Sequence, residues 1–286
     1  MDLTVVVVSF NTREHLERTL SAAVADCTGL QAEIVVIDNA SADGSAEAVR
    51  TEFPGVKLIA NGENRFYTAA NNQGFSVARG RFVLVLNSDA EIRPGTLPAL
   101  LKALDARREV GVASCRLIWP DGRLQHNCAT ERTYLGLLLD YTILGFILAP
   151  LRARTRRREW YRGWNRESER EVGVLPGSFL LIRRSVLESV GGFDENLRLY
   201  FAEDEFCARV RRAGHGVRYL PVGAVVHEER ASARRSPRRA RRIFFEDLGR
   251  YARTRFGRGA SRVLAALAWP VRLGLDAAGR FRGETS

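Results

Sequence analysis

The sequence predicts an α/β protein built on a mostly parallel, Rossmann-like central sheet flanked by helices. Three observations predict it. Aliphatic runs of strand length alternate with stretches of helical spacing along residues 3–86, the order that builds a parallel sheet between helices. One of these runs, Val83-Leu84-Val85-Leu86, is apolar at every position, as a strand buried on both faces requires. It stops on Asn87-Ser88-Asp89, and open α/β sheets bind ligands just beyond the carboxyl ends of their strands.

Leu3–Ser9 reads as the first strand. Arg13–Asp26 has helical spacing, with Leu16, Leu20, Ala23 and Val24 on one side. Glu33–Ile37 is the second strand, Val56–Ala60 the third and Arg81–Leu86 the fourth, with helices expected over Ser45–Phe53 and Thr68–Ala78 between them. Further along, a helix is expected over Asp204–Ala213. Tyr134–Leu151 is strongly apolar apart from Asp140, and a run of arginines follows from Arg152. Its length approaches that of a membrane span, but Asp140 and Pro150 argue against one. The readings left open are a helix at a membrane interface, a cover over an acceptor cleft, and a plain buried helix.

At 286 residues the chain suits one large α/β domain with an appendage. Met1-Asp2-Leu3-Thr4 enters a strand directly with no basic leader, so no signal peptide is expected. Four scattered cysteines, none in a Cys-x-x-Cys pair, imply neither a disulfide framework nor a zinc site. A reducing compartment is therefore expected. Residues 230–286 hold 15 Arg against 4 acidic residues. The whole net charge of +11 therefore belongs to this tail, and residues 1–229 sum to zero. Leu264, Leu267, Trp269, Leu273 and Leu275 stand among those arginines, a basic amphipathic pattern of the interfacial type. Such a tail suits anionic lipid or nucleic acid.

The strand ends carry the candidate chemistry. Asp38 follows the second strand, where a carboxylate can accept the imide N–H of a pyrimidine base; Asp43 or Ser45 can cap the helix that comes next. The small residues of Ala69-Ala70-Asn71-Asn72-Gln73-Gly74 allow a ligand to approach closely. Asp89 stands where a carboxylate can hold a divalent metal against a phosphate. The first strand is followed by Phe10-Asn11-Thr12-Arg13 and not by Gly-x-Gly-x-x-Gly, which disfavours a dinucleotide dehydrogenase. No Walker loop is present, and the Gly-rich, Lys-containing loop of a nucleotidyltransferase is missing after the first strand. A nucleic-acid-binding protein using the basic tail on an inert scaffold is the alternative from another class. It has no need of acids at successive strand ends, and the tail lacks RNA-recognition motifs, so no nucleic acid is expected.

Taken in order, these motifs resemble family 2 glycosyltransferases with the GT-A fold, and more narrowly their bacterial rhamnosyltransferase-like branch. The matching residues are Val5-Val6-Val7-Val8-Ser9-Phe10-Asn11, Val36-Ile37-Asp38-Asn39-Ala40-Ser41, Asp43-Gly44-Ser45, Asn71-Asn72-Gln73-Gly74 and Leu86-Asn87-Ser88-Asp89. They continue with Pro176-Gly177-Ser178-Phe179, Gly191-Gly192-Phe193-Asp194-Glu195, Glu203-Asp204-Glu205-Phe206-Cys207 and Val226-His227. The resemblance implies a GT-A catalytic domain over 1–230. Residues 1–110 would form its nucleotide-sugar half and 111–230 its acceptor half, with 231–286 as a basic helical appendage.

The resemblance also implies roles. A dTDP- or UDP-sugar, dTDP-rhamnose among them, would bind Ser9, Asn11, Asp38, Asn39, Ser41, Asn71, Asn72, Asn87 and Ser88, with Asp38 reading the base. Asp89 and His227 would hold Mn²⁺ or Mg²⁺, and Gly177 and Asp194 would face the acceptor, a glycan or polyprenyl-linked saccharide. The enzyme would be inverting and would work in the cytoplasm at the inner face of the cell membrane, with residues 231–286 and 134–158 as candidate contacts to anionic lipid. Two departures stand out. Where the family commonly has Glu-Asp-x-Asp-Leu-Cys, this chain reads Ala202-Glu203-Asp204-Glu205-Phe206-Cys207. Spacing back from Cys207 favours Glu203 as the base, and matching by letters favours Asp204. The second departure is Phe66, where the family usually has Gly.

Overall fold

The structure, a computed structural model, describes residues 1–228 and 237–281. In chain order the elements are β1 (Leu3–Ser9), α1 (Arg13–Asp26), β2 (Ala32–Asp38), α2 (Ser45–Glu52), β3 (Lys57–Ala60), α3 (Phe66–Val77), β4 (Phe82–Asn87), β5 (Ala90–Ile92), α4 (Thr96–Asp105) and β6 (Val110–Ile118). They continue with α5 (Tyr134–Tyr141), α6 (Leu144–Ile147), α7 (Ala149–Glu159), β7 (Arg170–Glu171), β8 (Phe179–Arg183), α8 (Arg184–Val190), α9 (Ala202–Arg212), β9 (Gly216–His227) and α10 (Pro237–Phe281). The strands form one sheet in the order β3-β2-β1-β4-β8-β6-β9-β5, with β7 on β9. β3, β2, β1 and β4 are mutually parallel. β8 runs antiparallel to both β4 and β6, and β6 and β9 are parallel.

The all-apolar strands are explained by burial on both faces. Val5, Val7, Leu84 and Leu86 join one core cluster with α1 and α4, whereas Val6, Val83 and Val85 join another with residues of α3, α8 and α9. Successive side chains of a strand point to opposite faces, so a strand covered on both sides must be apolar throughout. On α1, Leu16, Leu20 and Ala23 are buried as expected, but Val24 is turned to solvent. Asp26 takes the inward place and accepts the N–H groups of Gly95 and Leu97 at the start of α4. The small residues of α3 serve packing: a β-carbon at Gly74 would lie 2.3 Å from Val6 Cγ1, so it is the strand that makes the close approach.

The apolar stretch 134–151 is not one helix but three short pieces, with α7 running on to Glu159. Thr142 breaks it, its hydroxyl donating to Leu138 O (2.6 Å) and accepting from Leu144 N–H (3.1 Å). Asp140 is satisfied by arginines, with Arg152 at 3.4 Å, Arg156 at 3.5 Å and Arg132 at 4.0 Å. Among the described residues, no helix is long and apolar enough to cross a membrane.

α10 is interrupted at Gly257, whose φ of +90° lies in the region that favours glycine. The helix folds back there: Arg241 donates to Leu275 O and pairs with Asp276. Its first half packs on the rest of the chain, with Leu248, Tyr251 and Ala252 in a third apolar cluster beside Leu137, Leu197 and Phe201. Of the expected basic appendage, positions 231–236 and 282–286 lie outside the described residues.

Candidate active site

Three strand ends meet at one edge. Ser9 is in register with Asp38, and Val8 with Asn87. Ser9, Thr12 and Ser88 form a chain of buried hydroxyls, with Thr12 Oγ1 3.1 Å from Ser9 Oγ and donating to Ser88 Oγ at 2.9 Å. This chain ties the first strand end to the Asn87-Ser88-Asp89 step.

Asp38 is buried. Its Oδ2 accepts Ser41 N–H at 2.9 Å, while its Oδ1 is buried with no hydrogen-bond partner among the described residues. An orphaned carboxylate oxygen is costly unless a ligand donor meets it. Ser41 Oγ in turn accepts Asn11 N–H, and Asn11 Oδ1 accepts Ala42 N–H. Asn11 (φ +54°) and Ala40 (φ +62°) both sit in the left-handed region, strain of the kind that concentrates at functional loops. Asn71 presents a second orphan, its Oδ1 buried while its Nδ2 donates to Tyr67 O.

Other predicted residues are engaged within the protein. Asn39 Oδ1 accepts from Asn61 and from Arg65 N–H, and its Nδ2 donates to Phe66 O. Asn72 clamps the Gly191-Gly192-Phe193 loop, donating to Phe193 O and accepting Phe193 N–H. Asp194 Oδ1 accepts both the backbone and side-chain N–H of Asn196 and holds that turn. Phe66 has φ +64°, which explains why glycine is easier there. Its ring lies against the guanidinium carbons of Arg198 (5.1 Å) and Arg239 (5.3 Å).

β5 and β9 bring Asp89 and His227 together. Ala90 pairs with His227 in register, and His227 Nε2 stands 3.4 Å from Asp89 Oδ1. Gln125 fixes the imidazole. Its Nε2 donates to His227 O at 2.6 Å, which turns Oε1 toward His227 Nδ1 at 3.2 Å. An amide oxygen only accepts, so Nδ1 carries a proton, and the ring so held turns its buried Nε2 toward Asp89. A carboxylate and an imidazole nitrogen so oriented fit Mn²⁺ or Mg²⁺. Among the described residues there is no group of three or more His, Cys, Asp or Glu side chains placed to hold a metal. Further ligands would have to come from substrate or water.

Glu203 and Asp204 begin α9, after Phe201 in the left-handed region at φ +63°. Asp204 is buried and pairs with Arg132, Nε to Oδ1 3.2 Å. Burial raises its carboxyl, and Arg132 works against that rise. Glu203 lies beside Gly177, where a β-carbon would be 3.4 Å from the Glu203 carboxyl and 2.7 Å from Tyr67 Oη. Tyr67 donates to Gly177 O at 2.8 Å, and Asn87 N–H donates to Ser178 O, which sets this loop beside the end of β4. Burial and the neighbouring Asp204 push the Glu203 carboxyl up to about 7. A carboxyl tuned near neutrality is suited to take a proton.

The sequence reading did not single out Gln125, Arg132, Tyr67 or Thr12. Each acts through a partner at least 70 residues away or through one hydroxyl contact, and no local pattern marks such residues.

A family model described as Glycosyl transferase family 2 matches residues 4–191. The chain belongs to that family. Within it this glycosyltransferase is rhamnosyltransferase-like. It is 30% identical over 250 residues to an N-acetylglucosaminyl-diphospho-decaprenol L-rhamnosyltransferase of Mycobacterium tuberculosis, a match covering 82% of this chain and 78% of the relative. It is also 27% identical to the O-antigen biosynthesis protein RfbC of Myxococcus xanthus, over 80% of this chain and 17% of that one. Among solved structures, the mannosyltransferase PcManGT of Pyrobaculum calidifontis, in complex with GDP-Man and Mn²⁺, superposes with a TM-score of 0.58 at 20% identity. That match covers 99% of this chain and 81% of that one. GalNAc-T7 with UDP, GalNAc and Mn²⁺ gives 0.62 at 16% identity, over 88% and 48%. These likenesses are of fold.

Proposed function

We propose that this glycosyltransferase moves a sugar, rhamnose first among the candidates, from a dTDP- or UDP-sugar to a polyprenyl-linked glycan, with inversion, in the synthesis of a cell-surface polysaccharide. The observation that carries the reading is the convergence on one sheet edge of the Asp38 orphan oxygen, the Asp89–His227 pair and Glu203. Asp38 Oδ1 would accept the N3–H of uracil or thymine, with Ser9, Asn11, Ser41, Asn71, Asn87 and Ser88 lining the donor and Asn39 and Asn72 shaping its loops. Asp89 and His227 would hold Mn²⁺ or Mg²⁺, which when bound supplies electrostatic stabilisation of the leaving diphosphate. Glu203 would take the proton from the acceptor hydroxyl as its oxygen bonds to the anomeric carbon and the bond to the diphosphate oxygen breaks. Arg132 pairs with Asp204, so Asp204 would serve to hold Arg132, and the charge it retains would help to raise Glu203. Gly177 leaves room beside the base, and Asp194 sets the acceptor-side turn.

The 30% identical relative names a diphospho-decaprenol acceptor, which supports a lipid-linked substrate and a place at the cytoplasmic face of the membrane. Residues 1–230 would then be the catalytic domain, the first 110 serving the donor and the rest the acceptor. The test is a thermal-shift screen with Mn²⁺. Stabilisation is expected with dTDP or UDP and much less with GDP or CDP. Stabilisation by GDP alone would overturn the donor.

A further inference from the structure

The outer surface of α6 and α7 has no role in the site above. Its tip is apolar and bare: Phe146 is 70% exposed and Ile147 69%, with Leu148 and Leu151 exposed beside them. Monomeric proteins seldom display such large side chains side by side without a partner. The second half of α10 adjoins this tip, because Ile143 N–H donates to Leu267 O at 3.3 Å. Two residues beyond that contact Trp269 is 61% exposed, and Leu273 follows on the next turn.

The arginines of α7 divide by spacing. Arg152 and Arg156, one turn apart, reach inward to Asp140. Arg154, Arg157 and Arg158 point outward and, with Arg162, Pro150 and Ala153, line a shallow concavity of about 620 Å³. Among the described residues these four outward arginines make no ion pair with a carboxylate. A patch with bulky apolar residues at its tip and uncompensated arginines around it is complementary to an anionic bilayer. The arginines meet the head groups and the apolar side chains enter the acyl boundary.

We propose that α6, the outer face of α7 and the Trp269 turn of α10 form the surface by which the enzyme docks on an anionic phospholipid bilayer. The inference rests on the lipid-linked reading of the acceptor and supplies its geometry. The same α7 contributes Arg152 and Arg156 to Asp140, and Asp140 neighbours Arg132, which holds Asp204 beside the base. The docking surface is thus one ion-pair cluster away from Glu203, and an acceptor head group standing at the bilayer surface would arrive at the acceptor side of the cleft.

The test uses the full chain with vesicles of phosphatidylcholine alone or mixed with phosphatidylglycerol. Wild type should co-sediment with the mixed vesicles, be released in part by salt, and show a blue shift of tryptophan emission that Trp269→Phe removes. Phe146→Ser with Ile147→Ser should lower the partition coefficient at least tenfold, on the order expected for losing two buried apolar side chains. Arg154→Glu, Arg157→Glu and Arg158→Glu together should lower it by roughly fivefold or more per arginine. Both variants change exposed residues and should melt with wild type; if either does not, the salt and emission measurements on wild type decide. Transfer to a vesicle-embedded acceptor should fall in both variants while transfer to a detergent-dispersed one is kept. No binding by wild type, or binding equal in wild type and both variants, would overturn the docking surface. Vesicle binding as expected but no transfer to any polyprenyl-linked saccharide would instead overturn the acceptor reading.

Discussion

Arg132 Nε lies 3.2 Å from Asp204 Oδ1, and this pair distinguishes the two carboxylates at the start of α9. Arg132 is itself buried, stacks over Trp160 at 4.7 Å and has Glu159 at 3.5 Å. The Asp204 oxygen that faces Arg132 is already engaged by the guanidinium and is not free to meet an acceptor hydroxyl. Among the described residues Glu203 has no such pairing, and it lies against Gly177 with Tyr67 alongside. Glu203→Gln is expected to lower turnover by roughly two to four orders of magnitude with donor affinity kept. Asp204→Asn should instead lower thermal stability, because it leaves Arg132 partly uncompensated. If Asp204→Asn alone is dead at wild-type stability, the assignment is reversed.

The raised Glu203 carboxyl also fixes a pH dependence. A base works ionised, so kcat/KM should rise through about pH 7 on its acid limb. Stability runs the other way. The carboxyl ionises in the unfolded chain near its ordinary 4.5 but in the folded protein only near 7. Its contribution is therefore complete below the unfolded value and is lost as pH rises through the folded one. Glu203→Gln should accordingly melt at or above the wild-type temperature above pH 7, measured by scanning calorimetry at several pH values.

The Asp89–His227 pair predicts that chelation by EDTA abolishes transfer and that Mn²⁺ or Mg²⁺ restores it. Asp89→Ala should lose metal-dependent binding of the nucleoside diphosphate in calorimetry. Gln125→Leu removes only the group that orients His227, and should weaken metal affinity about 10- to 100-fold. Unchanged affinity in Asp89→Ala would remove that carboxylate from the site.

How much of this was legible in the sequence follows from range. β1 to β4 are written locally, since continuous aliphatic runs and their polar stops are readable within a few residues. Asp38, Asp89 and Glu203 could be placed because each sits beside an element end. What could not be read is whatever depends on distant pairing. Asp140 looked like a flaw in an apolar segment, and only the return of α7 shows it as an ion-pair partner. Asn39 and Asn72 read as ligand contacts, but their amides hold loops far along the chain. Val24 fitted the apolar stripe of α1 by spacing, yet the α4 start draws Asp26 inward instead.

Phe66 tests a balance of two terms. Left-handed backbone costs a non-glycine residue about 1–3 kcal/mol, whereas each arginine against the ring returns about 0.5–1 kcal/mol. The terms nearly cancel, so Phe66→Gly should leave stability within about 1 kcal/mol of wild type. Phe66→Ala keeps the strain and loses both contacts, so chemical denaturation should rank it below the glycine variant. The reverse order would mean that the ring contributes little.

Asp247 carries the last prediction. It is fully buried on α10, and its Oδ2 accepts the N–H groups of Leu199 (2.9 Å) and Tyr200 (3.1 Å). Its Oδ1 is 3.1 Å from Arg250 and 4.0 Å from Arg198. From the other side, Tyr67 and Thr68 N–H donate to Arg198 O. The loop that leads through Phe201 to Glu203 is thus held between α3 and α10, with Tyr251 stacked on Phe201 at 5.2 Å. Asp247→Ala leaves the N–H groups of Leu199 and Tyr200 without their acceptor and leaves Arg198 and Arg250 with Glu246 as their carboxylate, a loss of about 2–4 kcal/mol. The variant should melt well below wild type. Asp247→Asn keeps an oxygen for the N–H groups and should recover part of the melting temperature. In the folded Asn variant kcat should fall with donor KM nearly kept, because what shifts is the base and not the nucleotide pocket. A fall in melting temperature with kcat unchanged would mean that α10 supports the fold without setting the position of Glu203.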